Sequence, residues 1–79
     1  MKISEATAKK ILKLCKENKL SVNKLAGISN ITQSTLQNII GGSSKNPKLL
    51  TIIRICNGLN MELKDFFDDD IFKKIDARD

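Results

Sequence analysis

Histidine, tryptophan and tyrosine are absent from these 79 residues, cysteine occurs twice and proline once. Without histidine, acid–base catalysis would fall to a carboxylate or a lysine with a displaced pKa. The acidic side chains gather near the C-terminal end with no visible partner, so an enzyme is not expected. Two cysteines, with no histidine and no Cys-x-x-Cys pair, exclude the usual zinc ligand sets, and no cofactor is expected. Cys15 and Cys56 each fall on an apolar helical stripe, where a free thiol behaves as a small hydrophobe. A disulfide between them is the alternative, disfavoured in a reducing compartment. No apolar run reaches the roughly 18 residues of a transmembrane helix. Met1-Lys2-Ile3-Ser4-Glu5 lacks the apolar stretch of a secretory signal, so a cytoplasmic protein without a membrane partner is expected.

A further absence is local. Leu25 to Ser44 run twenty residues without a charged side chain, and Lys24 and Lys45 close the two ends. Elsewhere 23 of the remaining 59 residues are charged. The middle of the stretch reads Thr32-Gln33-Ser34-Thr35-Leu36-Gln37-Asn38-Ile39-Ile40, core residues with hydroxyls and amides on the outer face. Such a face donates and accepts hydrogen bonds without imposing a sign of charge. That is the chemistry of reading base edges, with lysines alongside to hold phosphates. An ordinary solvated helix face is the plainer alternative; the missing charge and the flanking lysines favour DNA.

Charge is distributed unevenly along the chain. Residues 1–64 carry 11 basic and three acidic side chains, residues 65–79 three basic and six acidic, within a net charge of +5. A basic body fits a polyanion. Asp68-Asp69-Asp70 could chelate a cation, but a solvated acidic helix end is the simpler expectation.

Every periodic signal is helical, which predicts an all-α chain. Ser4 is placed to cap a first helix running to about Asn18, with Ala8, Ile11, Leu12 and Cys15 as its core stripe and Lys9, Lys10, Lys13 and Lys16 on the other faces. Ser21 caps a short second helix from Val22 to about Ser29 that buries Leu25 and Ala26, and Asn30 breaks it in a left-handed turn. Thr32 caps a third helix burying Leu36 and Ile39, which Gly41-Gly42 ends. A glycine-rich phosphate loop is the alternative for Gly41 to Lys45. That loop would follow a strand, with four residues between its glycines. Asn46-Pro47 signals the start of a fourth helix carrying Leu49, Leu50, Ile52, Ile53 and Cys56, with Gly58 at its stop. Asn60 caps a last helix from Met61 to about Asp68, anchored by Leu63, Phe66 and Phe67. Residues 1–68 thus form one domain, and residues 69–79 an amphipathic or frayed tail with Ile71, Phe72 and Ile75 among charges.

Two short helices joined by a tight turn, the second with a neutral polar face, describe a helix-turn-helix at helices two and three. Ala26 supplies the small residue at the crossing, Asn30 the turn, and Ile31, Leu36 and Ile39 the anchors. Here the chain resembles the Cro/XRE family of phage-repressor-type regulators, with their compact five-helix lambda-repressor-like fold. The resemblance spans Ser4 to Phe67. It rests on Leu20-Ser21-Val22-Asn23-Lys24-Leu25-Ala26, on Thr32-Gln33-Ser34-Thr35-Leu36, on Gly42-Ser43-Ser44-Lys45-Asn46-Pro47 and on Gly58-Leu59-Asn60.

The resemblance implies which residues meet DNA. Gln33, Ser34, Gln37 and Asn38 match the base-reading positions. Ser21, Asn23, Lys45 and Lys48 match phosphate-contact positions, and Thr32 and Thr35 are assigned to the backbone with them. Three positions depart from the family pattern. Val22 stands where a bracing glutamine is common, Asn30 where a turn glycine is usual, and Ile40 where many members pair an acid with a basic residue of helix one. Ile40 is expected to make an apolar contact with Cys15 instead. A sequence-specific regulator of double-stranded DNA is implied, a repressor binding an inverted repeat as a homodimer. Its dimer contact is expected at Phe66, Phe67, Phe72 and Ile75. The alternative is a protein-interaction module on the same fold, an antitoxin or adaptor, using the Phe-rich C-terminal end.

Overall fold

The computed structural model describes residues 1–43 and 45–77; Ser44 of the expected loop and the last two residues of the expected tail lie outside the described residues. Five α-helices follow in order: α1 Ile3–Glu17, α2 Val22–Ile28, α3 Gln33–Ile40, α4 Leu49–Gly58 and α5 Leu63–Phe67, then a 3₁₀ turn Asp70–Phe72. Among the described residues there is no strand, only an isolated parallel bridge between Lys2 and Asp76. The all-α, five-helix expectation holds. No helix among them is long and apolar enough to cross a membrane.

Four helices end in the same way. Lys19, Asn30 and Asn60 take positive φ of 55°, 57° and 56°, and Gly42 takes 82°. After each, the next N–H reaches back to a carbonyl five residues earlier: Leu20 to Cys15 at 2.9 Å, Ile31 to Ala26 at 3.1 Å, Ser43 to Asn38 at 3.0 Å and Met61 to Cys56 at 2.9 Å. This closure satisfies orphan carbonyls and turns the chain sharply. Leu20, Ile31 and Met61 thereby fold back onto the core. Apolar closure and chain reversal arise from the same few residues.

The core gathers Ile11, Leu14 and Cys15 of α1, Leu25 and Ala26 of α2, Leu36 and Ile39 of α3, Ile52, Ile55 and Cys56 of α4, and Phe66 of α5. Burying each large side chain contributes about 1.5–3 kcal/mol. Both cysteines are free thiols in this cluster. Burial raises both thiol pKa values, and for Cys56 the charge of Asp65 adds to it. They serve as apolar packing.

Several boundaries differ from the sequence expectation. Ser4 is not the first cap: α1 starts at Ile3, with Lys2 preceding it, and Ser4 is buried inside the helix. The cause is the tail, whose Asp76 N–H donates to the Met1 carbonyl at 2.8 Å and fixes the chain before α1. Leu12 is 45% exposed, and Leu14 takes the core position instead. Asn46 does not cap α4, which begins two residues after Pro47 with Lys48 as its N-cap residue. Leu49 and Leu50 are both 55% exposed, and α4 packs through Thr51, Ile52, Ile55 and Cys56.

Asn60 ends α4 rather than capping α5, which starts after Glu62. Gly58 is the last residue of α4, and its role is close approach. A Cβ there would stand 2.8 Å from both the Ile28 carbonyl oxygen and Ser29 Oγ. Glycine lets α4 seat on the end of α2.

From residue 69 to residue 77 the tail is neither frayed nor merely solvated. Asp69 Oδ2 accepts hydrogen bonds from Lys10 Nζ at 2.9 Å and Lys13 Nζ at 2.8 Å. Its Oδ1 accepts the Ile71 N–H at 3.0 Å. Both Lys10 and Asp69 are buried, so the charged residues expected on solvated faces form an internal clasp between α1 and the tail. The Phe66 ring lies 5.1 Å from Phe67 and 5.9 Å from Phe72, and Phe67 lies 5.0 Å from Phe72. Phe66 is wholly inside, so it is not available to a partner, contrary to its expected place in a dimer contact.

Candidate nucleic-acid interface

The turn from α2 to α3 is built locally. Ser21 Oγ accepts the Lys24 N–H at 3.1 Å and starts α2. Asn30 reverses the chain, and Thr32 Oγ1 accepts the Thr35 N–H at 3.1 Å to start α3. The Thr32 hydroxyl also donates to Thr35 Oγ1 at 2.7 Å and lies 3.3 Å from Ser34 Oγ. Three hydroxyls therefore hold one another at the head of α3, which fixes the backbone from which the next side chains project.

Those side chains face outward. Gln33, Ser34, Gln37 and Asn38 are all exposed, with Leu36 and Ile39 facing the core behind them. Gln33 and Gln37 share one row at i, i+4, and Ser34 and Asn38 the neighbouring row. Among the described residues the three amides make no hydrogen bond. Their donors and acceptors are open to a ligand, on a helix pinned at both ends by Thr32 and Gly42.

Two clefts flank this face. One, about 440 Å³, runs along α3 and α4 and is lined by Thr32, Thr35, Asn38, Asn46, Lys48 and Arg54 among others. It brings one expected base reader together with three expected backbone contacts. The second, about 410 Å³, lies at the C-terminal end of α3 and holds Lys45 with Lys2 and Lys9 of the α1 region. Lys45 and Lys48, both expected at phosphates, thus belong to different clefts. Ser21 and Asn23 sit exposed at the start of α2 and border neither. Lys45, Lys48 and Arg54 form no ion pair among the described residues, whereas Lys10 and Lys13 are taken by Asp69. Positive charge is therefore left uncompensated beside α3 and neutralised on the tail side.

Arg54 carries no mark in the sequence, being one charge in the apolar run of α4. Its signal is the spacing Pro47, Leu50, Thr51 and Arg54, a helical row that coincides with the α4 lining of the first cleft. No phosphate loop forms at Gly41-Gly42, where Gly42 serves the left-handed stop of α3. The Asp68 to Asp70 run does not converge on a cation either. The Asp69 carboxylate is committed to two lysines and a backbone N–H, and Asp70 pairs with Lys73 at 2.9 Å.

Comparison with known proteins agrees with this geometry. No curated protein matches the chain. A solved structure, the crystal structure of the prophage Lp1 protein 11, is similar over 95% of this chain and 100% of that one, with a TM-score of 0.82 and 29% identity. The Cro/C1-type HTH DNA-binding domain profile matches residues 10–70, which covers the turn, the cleft along α3 and α4, and α5. The chain belongs to the Cro/C1-type helix-turn-helix DNA-binding family.

Proposed function

We propose that the chain is a homodimeric transcriptional repressor that reads an inverted-repeat operator through residues 32–40. The observation that carries this reading is the open amide face of α3, uncharged, exposed and fixed by the Thr32 cap. In it Gln33, Ser34, Gln37 and Asn38 meet base edges. A glutamine bonded to adenine N6 and N7 contributes roughly 1–3 kcal/mol of discrimination. Ser21, Asn23, Thr32, Thr35, Lys45 and Lys48 hold the sugar-phosphate backbone, and Arg54 joins them from α4. Uncompensated cations at Lys45, Lys48 and Arg54 support this assignment, since each phosphate contact releases counterions.

A two-fold dimer sets two copies of α3 in successive major grooves about 34 Å apart. With Phe66 internal, the apolar surface open to a second copy is largest at Leu49 and Leu50, each 55% exposed; Ile75, at 36%, is the exposed part of the tail. Leu50 lines the cleft assigned to DNA, so the dimer contact is assigned to Leu49 at the head of α4.

Selection of sites from a random duplex pool at near-physiological salt tests this function. An enriched inverted repeat supports it. Weak, salt-sensitive retention with no enriched sequence moves the function to a protein-interaction module on the same fold.

A further inference from the structure

The cleft at the C-terminal end of α3 has a composition that phosphate binding leaves unused. Its floor is Ala8 and Leu12 of α1 with Ile40 of α3, and Leu12 remains 45% exposed there although it sits mid-helix. Its rim carries Lys2, Lys9 and Lys45 against one carboxylate, Glu5. None of the three lysines makes an ion pair among the described residues. Gly41 and Gly42 complete the wall, and the absence of side chains there keeps the mouth open. At about 410 Å³ the cleft has the volume of a ligand pocket and, among the described residues, no occupant from its own chain.

We infer that this cleft is a docking site for an acidic amphipathic helix of a partner protein. The apolar floor takes one or two aliphatic anchors of that helix, and the lysine rim pairs with its carboxylates, the helix-in-groove mode of recognition. Charge complementarity selects the partner: the rim holds three cations to one anion. The floor separates a peptide from DNA, because a phosphate gains nothing from covering Leu12 and Ile40, while an aliphatic anchor removes them from water. Ile40 is what makes the floor apolar, since a carboxylate at the end of α3 would meet Lys9 and Lys45 and close the cleft as an ion pair. Docking would also cover Lys45, so the helix and duplex DNA compete for this lysine.

The test is selection from a phage-displayed library of random peptides about twelve residues long, with the full chain as bait. The expected consensus combines Asp or Glu with leucine-class anchors. A synthetic copy should shift the amide resonances of Ala8, Leu12, Ile40 and Gly41. Its affinity should fall roughly tenfold or more in Leu12→Gln, which removes apolar floor without adding charge, and should fall in Lys9→Glu as well. Because Leu12 is already half exposed, the first variant should keep the parent melting temperature, and Lys9→Glu guards against its failing to fold. A library without an acidic-apolar consensus, or a consensus peptide that binds Leu12→Gln as tightly as the parent, would overturn the inference. So would a Lys9→Gln variant whose duplex binding loses about one phosphate from its salt slope while no peptide is enriched; the cleft would then be a channel for the DNA backbone.

Discussion

Lys10 Nζ and Asp69 Oδ2 meet at 2.9 Å, both side chains only 7% exposed, and join α1 to a tail 59 residues away in sequence. The Asp69 carboxyl is held well below the usual carboxylate range, first by the Ile71 N–H, then by Lys13 and Lys10. A depressed folded-state pKa contributes stability that is complete above the unfolded value, about 3.9, and is lost as pH falls below it. Stability of the parent should therefore decline below about pH 4. Asp69→Asn should be less stable at neutral pH, because Lys10 is left buried without an anion, and its acid limb should be flatter. Denaturant melts across the acid range check both; parallel pH profiles would remove the clasp from the account of the tail.

Gly58 and Gly27 should respond oppositely to alanine. A Cβ on Gly58 meets the Ile28 carbonyl oxygen at 2.8 Å, backbone that cannot swing away, whereas a Cβ on Gly27 meets nothing within 4 Å. Gly58→Ala should cost roughly 1–3 kcal/mol. Gly27→Ala, within α2, should gain about 0.5–1 kcal/mol. Thermal melts of the two variants read the difference directly.

Lys19 occupies a left-handed position at φ 55°, conserving the turn at a cost glycine would avoid. Lys19→Gly should stabilise the chain by about 1 kcal/mol, a rise of roughly 4–8 °C for a domain of this size. Asn30→Gly should gain less, because asparagine tolerates this conformation. An unchanged melting temperature for Lys19→Gly would show that the turn is held by its neighbours alone.

Most of this architecture is legible in the sequence because its signals are local. Ser21, Thr32, Asn30 and the Gly41-Gly42 pair each fix a cap or turn with neighbours two to five residues away, and all stand where expected. The exposed face of α3 follows from them. What fails is long-range. Ser4 reads as a cap only if the chain before it is free, and Asp76 has already fixed it. Asp69 reads as solvated until Lys10 and Lys13 arrive from α1. Gly58 and Asn60 carry the right residue types, but the carbonyl of Ile28 decides which is the close approach and which the turn. At the site, Arg54 becomes visible only once α4 is set against α3.

The assignment of the dimer contact separates two surfaces. Leu49→Lys at the head of α4 should shift the chain toward monomer in sedimentation at tens of micromolar and weaken operator binding, with the fold unchanged because Leu49 is 55% exposed and lines neither cleft. Ile75→Lys should leave the association state as it was. The reverse pattern would return the contact to the tail.

The decisive measurement is a binding titration of the selected duplex and its single-base variants with the parent, Gln33→Ala and Lys48→Ala. Gln33→Ala should lose roughly 1–3 kcal/mol on the selected duplex and become indifferent to one base position. Lys48→Ala should weaken every duplex alike and lower the salt slope by about one. Gln33→Ala binding with undiminished affinity and unchanged base preference would contradict recognition through α3.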